Sequence, residues 1–103
     1  MEITISGRHL EITPAIRQYA EEKAGRLPKF YDLIQDIEIV LDGHADGKQK
    51  RAEVVAIAEH KNRFVAHHEG EDLYGCIDQA VHKVQTQLTA HKERFRNRKH
   101  TTQ

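Results

Sequence analysis

A chain of 103 residues, 38% hydrophobic and 31% charged, has room for one compact domain and excludes a two-domain enzyme. It has no Trp, 3 Phe and 3 Tyr, so its core must come mainly from Ile, Leu, Val and Ala. The 16 basic and 16 acidic residues cancel overall but not locally: residues 1–81 carry 10 Lys/Arg against 15 Asp/Glu, and residues 82–103 carry 6 against 1. Such sign asymmetry suits a chain that offers one element to a polyanion.

The opening Met1-Glu2-Ile3-Thr4 has no basic region or apolar run, so no signal peptide is expected. No apolar stretch approaches the roughly 20 residues that span a bilayer. A single cysteine, Cys76, cannot form an internal disulfide, which suits a reducing cytoplasm.

Ile3 and Ile5 alternate with Glu2, Thr4 and Ser6, predicting a short first strand before Gly7. Thr13-Pro14 reads as an N-cap followed by proline at the first helical position. Ile16, Tyr19, Ala20, Ala24 and Leu27 then recur at helical spacing, predicting a helix over 14–27 that Pro28 ends or kinks.

Ile37, Ile39 and Leu41 alternate along a second strand, and two Asp-Gly pairs at 42–47 form the loop to an antiparallel third strand. That strand, over 51–59, offers Ala52, Val54, Ala56 and Ala58 to one face and Glu53, Val55, Ile57 and Glu59 to the other. Both sets hold apolar residues, so its buried face stays open at this level. A turn at 60–63 leads to a fourth strand carrying Phe64, Ala66 and His68.

From Leu73 the apolar period becomes helical through Ile77, Ala80, Val81, Val84, Leu88 and Phe95, with His91 on the same stripe. A helix over 73–95 is about 34 Å long and outruns a seven-residue strand of about 23 Å. The surplus lies where Lys92, Arg94, Arg96, Arg98 and Lys99 gather. Some of these suit the helix macrodipole, but five cations in eight residues exceed what capping asks for and point to polyanion binding. The expected fold is α+β, in the order β-α-β-β-β-α, with both helices on one face of a four-stranded sheet.

The eight histidines do not make a metal site. His67 and His68 are adjacent in a strand and point to opposite faces, and His9, His44 and His60 have no Cys/His pairing at zinc-site spacing. Cys76 lies beside the buried stripe with no paired base, and the scattered glycines form no phosphate loop. Neither a catalytic residue nor a cofactor is expected.

Glu69-Gly70-Glu71-Asp72-Leu73-Tyr74 with Ile77-Asp78 resembles the strand-to-helix junction of the ribosome hibernation promoting factor and ribosome-associated inhibitor family. Lys83, Gln87-Leu88-Thr89 and His91-Lys92 resemble its second helix, and Ile5-Ser6-Gly7 with Glu11-Ile12-Thr13-Pro14-Ala15-Ile16-Arg17 resembles its opening. The resemblance implies a fold similar to a double-stranded-RNA-binding domain. It also implies a non-enzymatic, cytoplasmic and monomeric factor that takes no small-molecule substrate and silences translation under stress or in stationary phase. Its partner would be the small ribosomal subunit, bound through ribosomal RNA in the mRNA and tRNA channel.

Carried over by position, the contact residues implied are Lys23, Arg26, Lys83, Gln87, His91, Lys92, Arg94 and Arg96. Lys29 and Arg98 are expected to add charge where Thr86 and Ala90 replace cations of the family pattern. Residues 1–96 would form the ribosome-binding domain and 97–103 a basic, disordered tail. With no second domain and no acidic tail, the chain resembles the family's short form. A general double-stranded-RNA binder is the alternative, disfavoured because Glu21 and Glu22 adjoin Lys23 and would repel a duplex.

Overall fold

A computed structural model describes residues 1–44 and 47–101, with side chains through Arg94. The elements are β1 (Glu2–Arg8), α1 (Pro14–Ala24), a 3₁₀ turn (Leu27–Lys29), β2 (Ile34–Asp42), β3 (Lys50–Ala58), a second 3₁₀ turn (Glu59–Lys61), β4 (Arg63–Gly70) and α2 (Leu73–Thr101). The β-α-β-β-β-α order matches the expectation from periodicity. The sheet is mixed, in spatial order β1-β2-β3-β4, with β1 parallel to β2 and the other pairs antiparallel.

Helix α1 stops earlier than its apolar stripe suggests. Pro28 has no N–H to donate, and its ring crowds the carbonyl four residues back, which belongs to Ala24, the last α1 residue. The chain continues as the Leu27–Lys29 turn, held in place because Leu27 is fully buried.

One sheet face is covered. Ile5, Ile37, Ile39, Leu41, Val54 and Phe64 meet Ala20, Ala24, Ile77, Val84 and Leu88 from the helices in one core. Helix α2 lies across β3 and β4, while α1 packs beside it towards β1. The ambiguity of β3 resolves in favour of Ala52, Val54, Ala56 and Ala58, whose small side chains let α2 approach closely. Val55 and Ile57 line the opposite face. Val55 is nonetheless buried there, since the register places it between Glu38 of β2 and Val65 of β4.

Helix α2 has 29 residues. Its backbone stays helical through 97–101, within the segment expected as a tail, and residues 102–103 lie outside the described residues. Among the described side chains, Leu88 is the last fully buried one of α2, and Lys92, Glu93 and Arg94 are exposed.

The β3–β4 turn carries two consecutive left-handed residues, His60 at φ 63° and Lys61 at φ 62°. The Asn62 N–H donates to the Glu59 carbonyl and the Ala58 N–H to the Asn62 carbonyl, so the turn is tight. Left-handed backbone costs a side-chain-bearing residue about 1–2 kcal/mol, and glycine returns part of that as unfolded-state entropy. Lys61→Gly should therefore raise stability by about 0.5–1 kcal/mol, read as an upward shift in the thermal unfolding midpoint.

Candidate nucleic-acid interface

Thr13 accepts the Ile16 N–H at its Oγ1 (3.2 Å) and starts α1, with Pro14 at the first turn. One turn apart on α1, Tyr19 and Lys23 both reach Asp78 of α2. The Tyr19 hydroxyl donates to both Asp78 oxygens, at 2.7 and 2.9 Å, and Lys23 Nζ stands 3.7 Å from Oδ1. Lys23 also sits 5.4 Å from the centre of the Tyr19 ring, and Tyr74 packs edge-on against that ring with centroids 4.9 Å apart. The hydrogen bond to Asp78, reinforced by burial and by the carboxylate charge, holds the Tyr19 pKa above the usual 10.0. Lys23 is thus paired across the helices.

Arg26 pairs with Glu22 at 3.4 Å on the exposed surface of α1. Such an i,i+4 pair is worth a few tenths of a kcal/mol, so Arg26 is easily released to another anion. Lys29 is exposed and has no ion pair among the described residues.

On α2 the expected contact residues fall on two sides. Lys83 Nζ donates to the His67 carbonyl at 2.9 Å, and Gln87 Nε2 donates to the Val65 carbonyl at 2.9 Å. Both carbonyls belong to β4, the last strand of the sheet. Four helical residues rise about 6 Å, and two strand residues advance about 6.6 Å. One side of α2 therefore runs in step with the free carbonyls of β4 and closes that edge. Arg94, exposed, continues this side at the i+7 position from Gln87.

The other side faces α1. There His82, Gln85 and Asp78 border a groove of about 680 Å³, with Lys23, Arg26 and Lys29 on its opposite wall. Lys92, exposed and seven residues beyond Gln85, prolongs this row towards the projecting end of α2. The outer crest between the two sides, formed by Thr86, Thr89, Ala90 and Glu93, carries no cation. His91 is turned inward, its ring 5.2 Å from that of Tyr31 and 5.3 Å from that of Phe64. The expected contacts at Arg96 and Arg98 lie outside the described side chains.

Sequence reasoning found the cations but missed the groove that groups Arg26 and Lys29 with His82 and Gln85, with Lys92 one step further along the same side of α2. The available signal was the seven-residue spacing from Asp78 to Gln85 to Lys92, which marks one side of a helix. Cys76 is buried, and its thiol lies 3.6 Å from the Lys50 carbonyl. Burial, followed by the charges of Asp72 and Glu69, pushes its pKa up and disfavours the thiolate.

The fold is a two-layer α+β domain whose helices carry the exposed cations Arg26, Lys29, Lys92 and Arg94. Residues 3–96 match the family described as "Sigma 54 modulation protein / S30EA ribosomal protein", and the chain belongs to that family. It is 35% identical over 105 residues to a ribosome hibernation promoting factor of Azotobacter vinelandii, covering 91% of this chain and 85% of that one. Among solved structures, the Thermus thermophilus Protein Y N-terminal domain superposes with a TM-score of 0.79 at 37% identity, covering 88% of this chain and 99% of that one. A ribosomal subunit interface protein from Coxiella burnetii superposes at 0.81 with 28% identity, covering 90% and 99%.

Two predictions separate structural from ligand-facing roles. In Tyr19→Phe the phenolate absorbance lost relative to wild type should be a component that ionises above pH 10.0. Because the folded-state pKa is raised, the stability from this bond is complete below the unfolded value and is lost as pH rises through the folded one. Lys83→Met keeps the aliphatic stem but removes the donor to the His67 carbonyl. It should lower stability by about 1 kcal/mol, measured by denaturant unfolding.

Proposed function

We propose that this protein binds the ribosome and silences translation during hibernation, and that it does so without catalysis. The ribosome and hibernation parts of the reading extend to this chain what the names of its relatives print, a ribosome hibernation promoting factor and a ribosomal subunit interface protein. The observation that carries it is the placement of Arg26 and Lys29 along the α1–α2 groove, with the exposed Lys92 beyond its lining towards the basic end of α2. A rigid helix with cations on successive turns matches an RNA backbone. Phosphate contacts position a protein without reading sequence.

On this reading the chain is a cytoplasmic monomer that needs no cofactor. It lies in the mRNA and tRNA channel of the small subunit, against ribosomal RNA, under stress or in stationary phase. The mechanism is steric: a folded domain held by phosphates occupies the path that mRNA and tRNA require. Arg26, Lys29, Lys92, Arg94, Arg96 and Arg98 supply charge, and Lys23 does so only by leaving Asp78. Lys83, Gln87 and His91 hold the helix that presents it, and Lys83 and Gln87 reach RNA only by leaving β4.

Cosedimentation with purified ribosomes at several salt concentrations tests this. Log affinity should fall with log salt by roughly 0.7–0.9 for each neutralised phosphate. Lys92→Glu, Arg94→Glu and Arg96→Glu combined should weaken binding by about a hundredfold or more on that scale. The unfolding midpoint should hardly move, since Lys92 and Arg94 are exposed. Unchanged cosedimentation of the triple variant would remove α2 as the anchor.

A further inference from the structure

The groove between α1 and α2 has more chemistry than phosphate binding requires. A bare phosphodiester asks only for cations, and Arg26 and Lys29 supply them on one wall, with the His82 imidazole on the other as a hydrogen-bonding group. Leu27, Phe30 and Val81 add an apolar floor, with Leu27 fully buried and Val81 8% exposed. Gln79 and Gln85 place two side-chain amides at the same opening, each able to donate and accept in one plane. Cations, an apolar floor bearing one aromatic ring and paired amides match the three parts of a nucleotide: phosphate, base face and base edge.

We propose that this groove is a single-nucleotide site that takes one unpaired nucleotide, its base on the Phe30 and Val81 floor and its phosphate among Arg26, Lys29 and His82. The proposal deepens the ribosome-binding reading and rests on it for the source of the nucleotide. The volume of about 680 Å³ lies within the range of small-ligand sites. Asp78, the acid in the wall, does not repel the phosphate. Tyr19 hydrogen-bonds both its oxygens and Lys23 offsets its charge, so neither Asp78 nor Lys23 is free to set the net sign. Arg26 is held only by an exposed pair with Glu22 and can turn into the groove.

A base-paired strand cannot use the floor, because its bases are stacked inside the helix. The site therefore selects unpaired RNA, the form in which bases are open to aromatic contact and edge hydrogen bonding. The same chemistry would accept a free nucleoside monophosphate, and the test separates the two sources.

The full chain is titrated at one low salt concentration, following the His82 imidazole and Gln85 amide by NMR. The probes are a short single-stranded RNA, its abasic counterpart, an RNA duplex, the four nucleoside monophosphates and an acidic peptide containing phenylalanine. The single strand should shift both signals, and the abasic strand should bind about tenfold more weakly, the scale of one base–aromatic contact. Monophosphates that shift both signals at lower concentration than the strand would support the site and assign it to a free nucleotide. Equal affinity for the abasic strand, or equal shifts from the duplex or the peptide, would overturn the proposal.

Gln85→Trp fills the groove and Arg26→Gln removes one cation, with folding checked by circular dichroism. Each should weaken the single strand several-fold, and both should weaken ribosome cosedimentation. If both variants cosediment like wild type while the α2 charge-reversal variant does not, the groove proposal fails and the ribosome reading stands. If the wild type does not cosediment at any salt concentration, the ribosome reading fails, whatever the groove binds.

Discussion

A single carboxylate ties the two helices together. Tyr19 and Lys23, one turn apart on α1, converge on Asp78 near the start of α2, and Tyr74 closes over the Tyr19 ring. Below this tie the helices meet through Ala20, Ala24 and Val81, residues too small to hold an interhelix angle by interlocking alone. The directed bonds to Asp78 set that angle, and the angle sets the width of the groove. The tie also determines which cations face outward. Lys23 has the sequence position of a ligand contact, yet its charge is spent on Asp78, leaving Arg26 and Lys29 as the cations of that wall.

Helix α2 solves a different problem on its other side. β4 ends the sheet, and a free strand edge presents backbone groups that another chain can pair with. Lys83 and Gln87 meet two of these carbonyls because helix rise and strand rise nearly coincide over this span. An ammonium engaged by a carbonyl contributes less to an external phosphate than one held in solvent. Charge on α2 is therefore divided: Lys83 stabilises the sheet edge, while Lys92 and Arg94 are exposed and have no ion pair among the described residues. The crest between them, with Thr86, Thr89, Ala90 and the exposed Glu93, has no cation to hold an anion.

The strands were legible because one face of each alternates against water, as with Ile37, Ile39 and Leu41 against Glu38. β3 was ambiguous for a physical reason: it is flanked by strands on both sides, so Val55 is buried even on the uncovered face. The end of α1 depends on Pro28 acting four residues upstream at Ala24, which outweighs the apolar stripe that continues to Leu27. The site was legible as a count of cations but not as an arrangement. Whether Lys23 is paired or Lys83 bonded to β4 depends on residues 55 and 16 positions away, and the groove exists only once two separate helices are set side by side.

Charge on the uncovered sheet face completes the electrostatic design. The register places Glu2 beside Asp36, Glu38 beside Thr4 and Val55, and Glu53 between Val40 and His67. On the surface opposite the helices acids thus outnumber the cations Arg8, Arg51 and Arg63, of which Arg51 pairs with Glu53 and Glu69. The formal net charge of zero therefore conceals a separation of sign across the thickness of the domain and along α2. A neutral but polarised molecule gains little from simple attraction to a polyanion at long range, where its charges cancel. As it nears within about 10 Å, the screening length at 0.1 M salt, the nearer face dominates. Approach by the sheet is then repelled and approach by the helices favoured, so orientation is selected before contact is made. Net neutrality limits indiscriminate adhesion to nucleic acid, and the asymmetry retains the directed encounter that a single cationic face provides.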